Sequence, residues 1–220
     1  MMEEPDYLKE INNGISEMYN SIVEIYEMVL SVLKEPTAGK TKEICDKTKL
    51  VMEQEEAIID RCVEALIRHQ PFAGDLRAVT SAMRISYDLA RISRYLSNIV
   101  QVIDDVQSGV ACAPDVKGLL ESGWEMVQES VKSYLSRDPV RAASVIDEDA
   151  KIDSGYRKVL SRYRDYAGGG ACVLLNGLIA RIVERMADHA CYISAETVYM
   201  VTGSRIGVRA PKCPPDLSSQ

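Results

Sequence analysis

An all-α protein, a tandem of two antiparallel three-helix bundles, is predicted by three features of this 220-residue chain. Apolar residues recur at threes and fours almost throughout, the spacing of a helix that buries one face. Strand-like alternation is absent over any useful length. Proline and glycine interrupt the pattern at five regular places, leaving six long segments that short turns can fold into bundles.

The first stripe runs through Leu8, Ile11, Ile15, Met18, Ile22, Ile25, Val29 and Val32 to Leu33, and Glu35-Pro36 ends it. A second covers about Thr41 to His69 through Ile44, Leu50, Met52, Ile58, Ile59, Val63 and Leu66, stopping at Gln70-Pro71. Gly74-Asp75 opens a third, which reaches about Gln107 through Leu76, Val79, Met83, Ile85, Leu89, Ile92, Leu96, Ile99 and Ile103. The connector Ser108 to Pro114, poor in charge and holding glycine and proline, divides the halves. A fourth helix is expected from Pro114 or Asp115 to Ser136. Asp138-Pro139 then supplies an N-cap and a first-turn proline for a fifth, to about Tyr166. Gly168 to Gly170 turns the chain into a sixth helix from about Ala171 to Thr202, with Gly203 as its C-cap. The division is residues 1–108 and 109–203 for the two bundles and 204–220 for a loosely held, flexible C-terminal tail.

Thirty-three acidic against 26 basic residues give a formal charge of −7. Nucleic acid and anionic lipid require a basic face, so the balance favours a protein or a cation as partner. No stretch has the roughly 18 uncharged apolar residues of a spanning helix, and Met1 to Lys9 is acidic, without the apolar core of a signal peptide. A cytoplasmic protein with no membrane insertion is expected. The six cysteines, Cys45, Cys62, Cys112, Cys172, Cys191 and Cys213, form no C-x-x-C pair and read as reduced, mostly buried thiols.

The chemistry of the chain is concentrated in Glu184 and Asp188, two carboxylates one turn apart on the sixth helix, flanking Met186 and Ala187. Acids at i and i+4 share a face and repel unless a cation or a basic group lies between them. Asp149 and Asp153 form a second such pair on the fifth helix. They stand 20 and 16 residues before Gly169, and Glu184 and Asp188 stand 15 and 19 after it, so a hairpin sets all four at one level. Four facing carboxylates suit a divalent or trivalent metal ion such as magnesium, manganese, iron or zinc. Acids at helical spacing also serve as a plain solvated face, and Arg181 and Arg185 offer neutralisation by a salt-bridge ladder instead. His69 and His189 read as surface or capping residues, and the tyrosines as bundle filling. No nucleophile and base arrangement, Glu-x-x-His pair or phosphate loop is visible, so no catalytic role is assigned and the protein is not expected to be an enzyme.

A weaker echo lies 94 positions before the sixth-helix acids, in Arg84 to Arg94, with Ala90 and Arg94 where the acids would stand. Two longer elements carry a resemblance. Gln70-Pro71-Phe72-Ala73-Gly74-Asp75-Leu76-Arg77 resembles the Q-P-x-A-x-D-L-R signature of PhoU proteins, and Glu184 to His189 is similar to their E-R-I-G-D-H element. Asp149 to Asp153 followed by Tyr156 matches the family's D-x-x-x-D pattern, and Val201-Thr202-Gly203 its ending. The resemblance spans roughly residues 6 to 203. It implies two three-helix bundles, each able to hold metal through the acidic motif and the facing helix. It also implies regulation of phosphate uptake and phosphate signalling by contact with the ATPase subunit of the phosphate ABC transporter and with a sensor kinase, and a homodimer in some members. The first bundle departs from the pattern at Ala90 and Arg94, faced by Thr48 and Met52, with Asp88 and Glu55 too displaced to replace the acids. An arginine at a ligand position repels a cation, so metal is expected only at Asp149, Asp153, Glu184 and Asp188. The alternative is a diverged helical adaptor whose acids form salt bridges and bind no metal.

Overall fold

The computed structural model describes residues 4–35, 39–106, 114–163 and 170–208. Those residues form α1 (Asp6–Lys34), α2 (Lys40–His69), α3 (Gly74–Val106), α4 (Pro114–Leu135), α5 (Pro139–Tyr163) and α6 (Gly170–Thr202), with no strand among them. Pro36, the connector up to Ala113, Gly168, Gly169 and the tail beyond Val208 lie outside the described residues.

The α1 stripe is buried from Leu8 to Leu33 as its spacing requires. The α2 stripe differs from the expected one. Its buried face runs Ile44, Thr48, Val51, Ile58, Cys62 and Ala65, in steps of three, four and seven, while Leu50, Met52 and Val63 point outward. Apolar character alone misplaced the face because α2 carries apolar residues all round. The steps of three and four select the register. Thr48 tolerates burial because its hydroxyl donates to the Ile44 carbonyl at 2.9 Å.

Between α2 and α3 both Gln70 and Ala73 take left-handed φ, 44° and 49°, which reverses the chain in four residues. Tyr7 clamps this turn: its ring stacks on His69 at 4.6 Å and its hydroxyl donates to Asp75 at 3.3 Å. The cap expected at Asp138 is present, its Oδ1 accepting from the N–H groups of Val140 and Arg141 at 3.0 Å each. Gly203 closes α6 at φ +77°, as a C-cap glycine does.

α1 and α2 pack on α3, α4 and α5 pack on α6, and α3 lies along α6. Arg77 near the start of α3 donates to the Met200 carbonyl near the end of α6 at 3.3 Å, so these two helices are antiparallel. Both helices are rich in small buried residues, Ser81, Ala82, Ser86 and Ser93 on α3 and Ala180, Ala187, Ala190 and Ser194 on α6, and Ser81 meets Glu196 directly across the seam. Small side chains let the helix axes approach, and one apolar core runs through both bundles. A second bridge joins α1 to α4, where the Trp124 ring stacks on Tyr26 at 4.2 Å. Cys45, Cys62 and Cys191 are not disulfide-bonded. Cys172, half-buried in the first turn of α6, is disulfide-bonded, which corrects the expectation of thiols throughout. Cys62 and Cys191 are sealed in the core, whereas Cys172 is only half-buried.

Candidate functional site: the carboxylate face of α5 and α6

α5 and α6 are packed neighbours, and Asp153 of α5 lies within electrostatic reach of Glu184 and Asp188 of α6. Glu184 is held above the usual carboxylate range, first by burial and next by the charge of Asp188, with Asp153 adding to the same effect; Arg181 and Arg185 pull the other way. Asp188 is raised by burial and by Asp153, against Arg185, His189 and Arg181. Three of the four predicted acids therefore act on one another across the seam. Asp149 lies one turn earlier on α5 and is buried, at 6% exposure.

The arginines are also in place. Arg181 reaches Glu184 at 2.6 Å, Arg185 stands 3.9 Å from Glu184 and 3.5 Å from Asp188, and Arg157 stands 3.5 Å from Asp153. Among the described residues, no three His, Cys, Asp or Glu side chains converge closely enough to hold an ion as they stand. The ladder has weak anchors, since the Arg181 and Arg185 side chains are 42% and 48% exposed and free to swing into water. Such half-exposed i, i+3 pairs contribute on the order of 0.5 kcal/mol. A divalent cation attracts clustered carboxylates far more strongly. The half-exposed arginines leave Glu184 and Asp188 reachable from solvent.

In the first bundle Ala90 is buried and Arg94 is exposed. Arg94 lies within electrostatic reach of Glu55, whose carboxyl is raised by burial and by Glu56 and lowered by Arg94. Thr48 is in the core and Met52 faces outward.

Two clusters went unseen in the sequence. His189, expected at the surface or in a cap, instead lies in the seam between the bundles, its Nδ1 2.7 Å from Asp88 Oδ1. Tyr95 and Tyr192 flank the ring, with centroids at 5.6 and 5.4 Å. Asp88, 6% exposed, is raised above its ordinary range by burial, which its contact with His189 opposes. Glu196, 7% exposed, accepts a hydrogen bond from Ser81 at 3.4 Å and pairs with Arg84 at 2.9 Å. The available signal was register, since Asp88 follows Ile85 and Glu196 follows Ile193 by three on apolar stripes.

Six helices in two bundles joined along an antiparallel α3–α6 seam, with a carboxylate face on the second, define an all-helical tandem-bundle protein. A family model described as the PhoU domain matches residues 15–103 and again 119–197, one copy per bundle. The chain belongs to the PhoU family. The phosphate-specific transport system accessory protein PhoU homolog of Synechocystis is 29% identical over 172 residues, 72% of this chain and 77% of that protein. The homolog of Rhizobium meliloti is 29% identical over 179 residues, 78% of this chain and 75% of that protein. In structure the chain is similar to the phosphate transport system regulatory protein PhoU of Streptococcus pneumoniae, with a TM-score of 0.79 at 20% identity, over 91% of this chain and 97% of that one. It is likewise similar to PhoU of Pseudomonas aeruginosa, with a TM-score of 0.77 at 22% identity, over 90% and 99%. These two structures share the fold. Among the described residues no helix is long and apolar enough to cross a membrane.

Proposed function

We propose that this protein is a cytoplasmic, non-enzymatic regulator of phosphate uptake and phosphate signalling. It acts by contact with the ATPase subunit of a phosphate ABC transporter and with a sensor kinase, as a monomer or a homodimer. The observation that carries the reading is the double match to the PhoU domain, one copy on each side of the α3–α6 seam. A net charge of −7 fits a protein partner better than nucleic acid. Affinity capture from native cells, read by identifying the transporter ATPase, tests it. Recovery of that subunit is expected, and its reproducible absence under phosphate-replete and phosphate-starved growth overturns the reading.

The same proposal includes one cation site, in the second bundle only. Asp149, Asp153, Glu184 and Asp188 would hold the ion, with iron, zinc, manganese and magnesium all compatible with oxygen donors. When bound, the ion would supply charge neutralisation. The chain's own part is to hold carboxylates on two neighbouring helices in mutual repulsion, which disfavours the metal-free bundle. Metal content of protein purified without chelator, compared with Asp188→Asn, tests this. Loss of metal in the variant and a lower melting temperature on chelation are expected. Equal content in both proteins overturns it.

A second reading rests on the 2.6 Å contact of Arg181 with Glu184. In it the arginine ladder is the permanent counter-charge and the protein is a helical adaptor without metal. Arg181→Ala with Arg185→Ala separates the two, since it leaves a cation site intact or tighter and destabilises an arginine-neutralised face.

A further inference from the structure

The end of α6 is a fixed point. Gly203 donates its N–H to the Tyr199 carbonyl at 2.8 Å, and Ser204 donates to the Thr202 hydroxyl at 3.1 Å. Beyond this hinge the chain returns along α6 as a non-helical strap, Ser204 to Val208. Arg205 reaches back nine residues to Glu196 at 3.3 Å and lays its guanidinium over the Tyr199 ring at 3.9 Å. Val208 packs against the core. Between the strap and the helices lies a cavity of about 710 Å³, walled by Ile59, Met83, Tyr87 and Tyr192, with Asp88 and Glu196 among its polar lining.

Three features mark the strap as separable from the packed helices. Glu196 already has Arg84 and Ser81, so the fold does not need Arg205 to neutralise a buried carboxylate. The strap is lightly held: the Arg205 side chain is 57% exposed and Ile206 is 38% exposed. The cavity beneath it has the volume of a ligand pocket, roughly 300–1,000 Å³, and isoleucine and valine leave it unfilled. A groove that holds an arginine against a buried carboxylate, with aliphatic and aromatic side chains sharing its lining, accepts the same pattern from elsewhere, with more bulk.

We propose that Ser204–Val208 is a displaceable, self-supplied occupant of a peptide groove on the α2, α3 and α6 side of the seam. The groove's ligand in trans is an extended segment of a partner protein, an arginine followed by bulky apolar residues one and three positions later. That spacing is the one Arg205, Ile206 and Val208 display, and the buried Glu196 matches the arginine. The tether gives the strap an effective concentration in the millimolar range. It therefore excludes weak segments and yields to one that fills the cavity, which makes partner binding and strap release a single event.

The test uses the full chain and a fluorescein-labelled peptide, Ser-Arg-Leu-Gly-Phe, followed by anisotropy. Arg205→Ala with Ile206→Ser removes the internal competitor, and the peptide is expected to bind this variant at least about tenfold more tightly than the unchanged chain. Replacing the peptide's arginine by alanine should cost about tenfold, as should adding Glu196→Gln to the variant, because the charge-assisted hydrogen bond is lost. Circular dichroism establishes that each variant remains helical. Equal affinity for variant and unchanged chain, or indifference to the peptide's arginine, overturns the proposal; the altered peptide decides between the outcomes even if Glu196→Gln unfolds. Dimerisation of the unchanged chain that Arg205→Ala abolishes in sedimentation also overturns it, since the groove would then serve a second copy's strap.

Discussion

The two bundles are built to one plan and differ where chemistry would occur. At corresponding positions on the helices that form the seam, α3 has Ala90 and Arg94 while α6 has Glu184 and Asp188. Ala90 is swallowed by the core and Arg94 faces solvent near Glu55. Glu184 and Asp188 instead sit half-sheltered and mutually repelled, with arginines leaning over them from outside. The same helix thus tolerates either a neutral packed position or a strained acidic one. The packing of the helix is compatible with both, so the difference lies in the charge each bundle presents, not in the fold.

The largest expected effect is on the bridge that makes two bundles one body. Trp124→Ala removes the α4 ring that stacks on Tyr26 of α1, and should lower unfolding free energy by about 3–5 kcal/mol, measured by urea denaturation. If two separate transitions were seen in the unchanged protein, the single-core description would fail.

Next is an acid imposed on the first bundle. Ala90→Glu buries a carboxylate in the core with only the exposed Arg94 a turn away to offset it, and should cost about 2–4 kcal/mol. With Arg94→Asp added it recreates the second bundle's spacing. A melting temperature that rises with added manganese in the double variant, and not in Ala90→Glu alone, would show that the spacing is sufficient. No response in either would show that the facing residues on α2 matter as much.

Two glycines sharpen the contrast at intermediate size. A Cβ on Gly123 would stand 2.7 Å from Val183 Cγ1, a short buried side chain that cannot move away. On Gly14 it would meet the far end of Arg61 at 2.8 Å and Ile58 Cγ1 at 3.1 Å, and the arginine can yield. Gly123→Ala should destabilise by about 1–3 kcal/mol despite its helix propensity. Gly14→Ala should come out near neutral, as the roughly 1 kcal/mol gained in propensity offsets the tight Ile58 contact.

The smallest effect is electrostatic. The carboxyls of Glu184 and Asp188 are raised in the folded, metal-free protein, so between that raised range and the ordinary one the folded state binds more protons than the unfolded state. Their contribution to stability therefore falls as pH rises through this window and recovers on acidification. Glu184→Gln with Asp188→Asn should be more stable than the unchanged apo protein at neutral pH, by about 0.5 kcal/mol, and the advantage should vanish toward about pH 4. A difference independent of pH would mean that Arg181 and Arg185 already cancel the repulsion.

The helices were legible because burial of one face leaves a periodic trace in the chain. Leu8 through Val32, the cap at Asp138 and the stop at Gly203 all stand where local chemistry demands. The α2 face was not legible, since Leu50 and Met52 compete with Val51 for the core and only packing against α1 and α3 decides between them. Of the site, the sequence marked Asp149, Asp153, Glu184 and Asp188 by spacing, and named the arginines as their rivals. That Arg181 and Arg185 lie on the acids is a matter of side-chain rotation, which spacing does not encode.

By itself, then, the sequence determined six amphipathic helices, their breaks and the asymmetry of acids between the halves, because these depend on residues within a few turns of one another. The tertiary structure alone decided that α3 and α6 form the seam, that His189 meets Asp88, and that Glu196 gathers Arg84 and Arg205. The first two contacts and Arg84–Glu196 join residues more than a hundred positions apart, and Arg205–Glu196 depends on the strap folding back. Their geometry follows from how the two bundles dock, a choice made by the whole packed core.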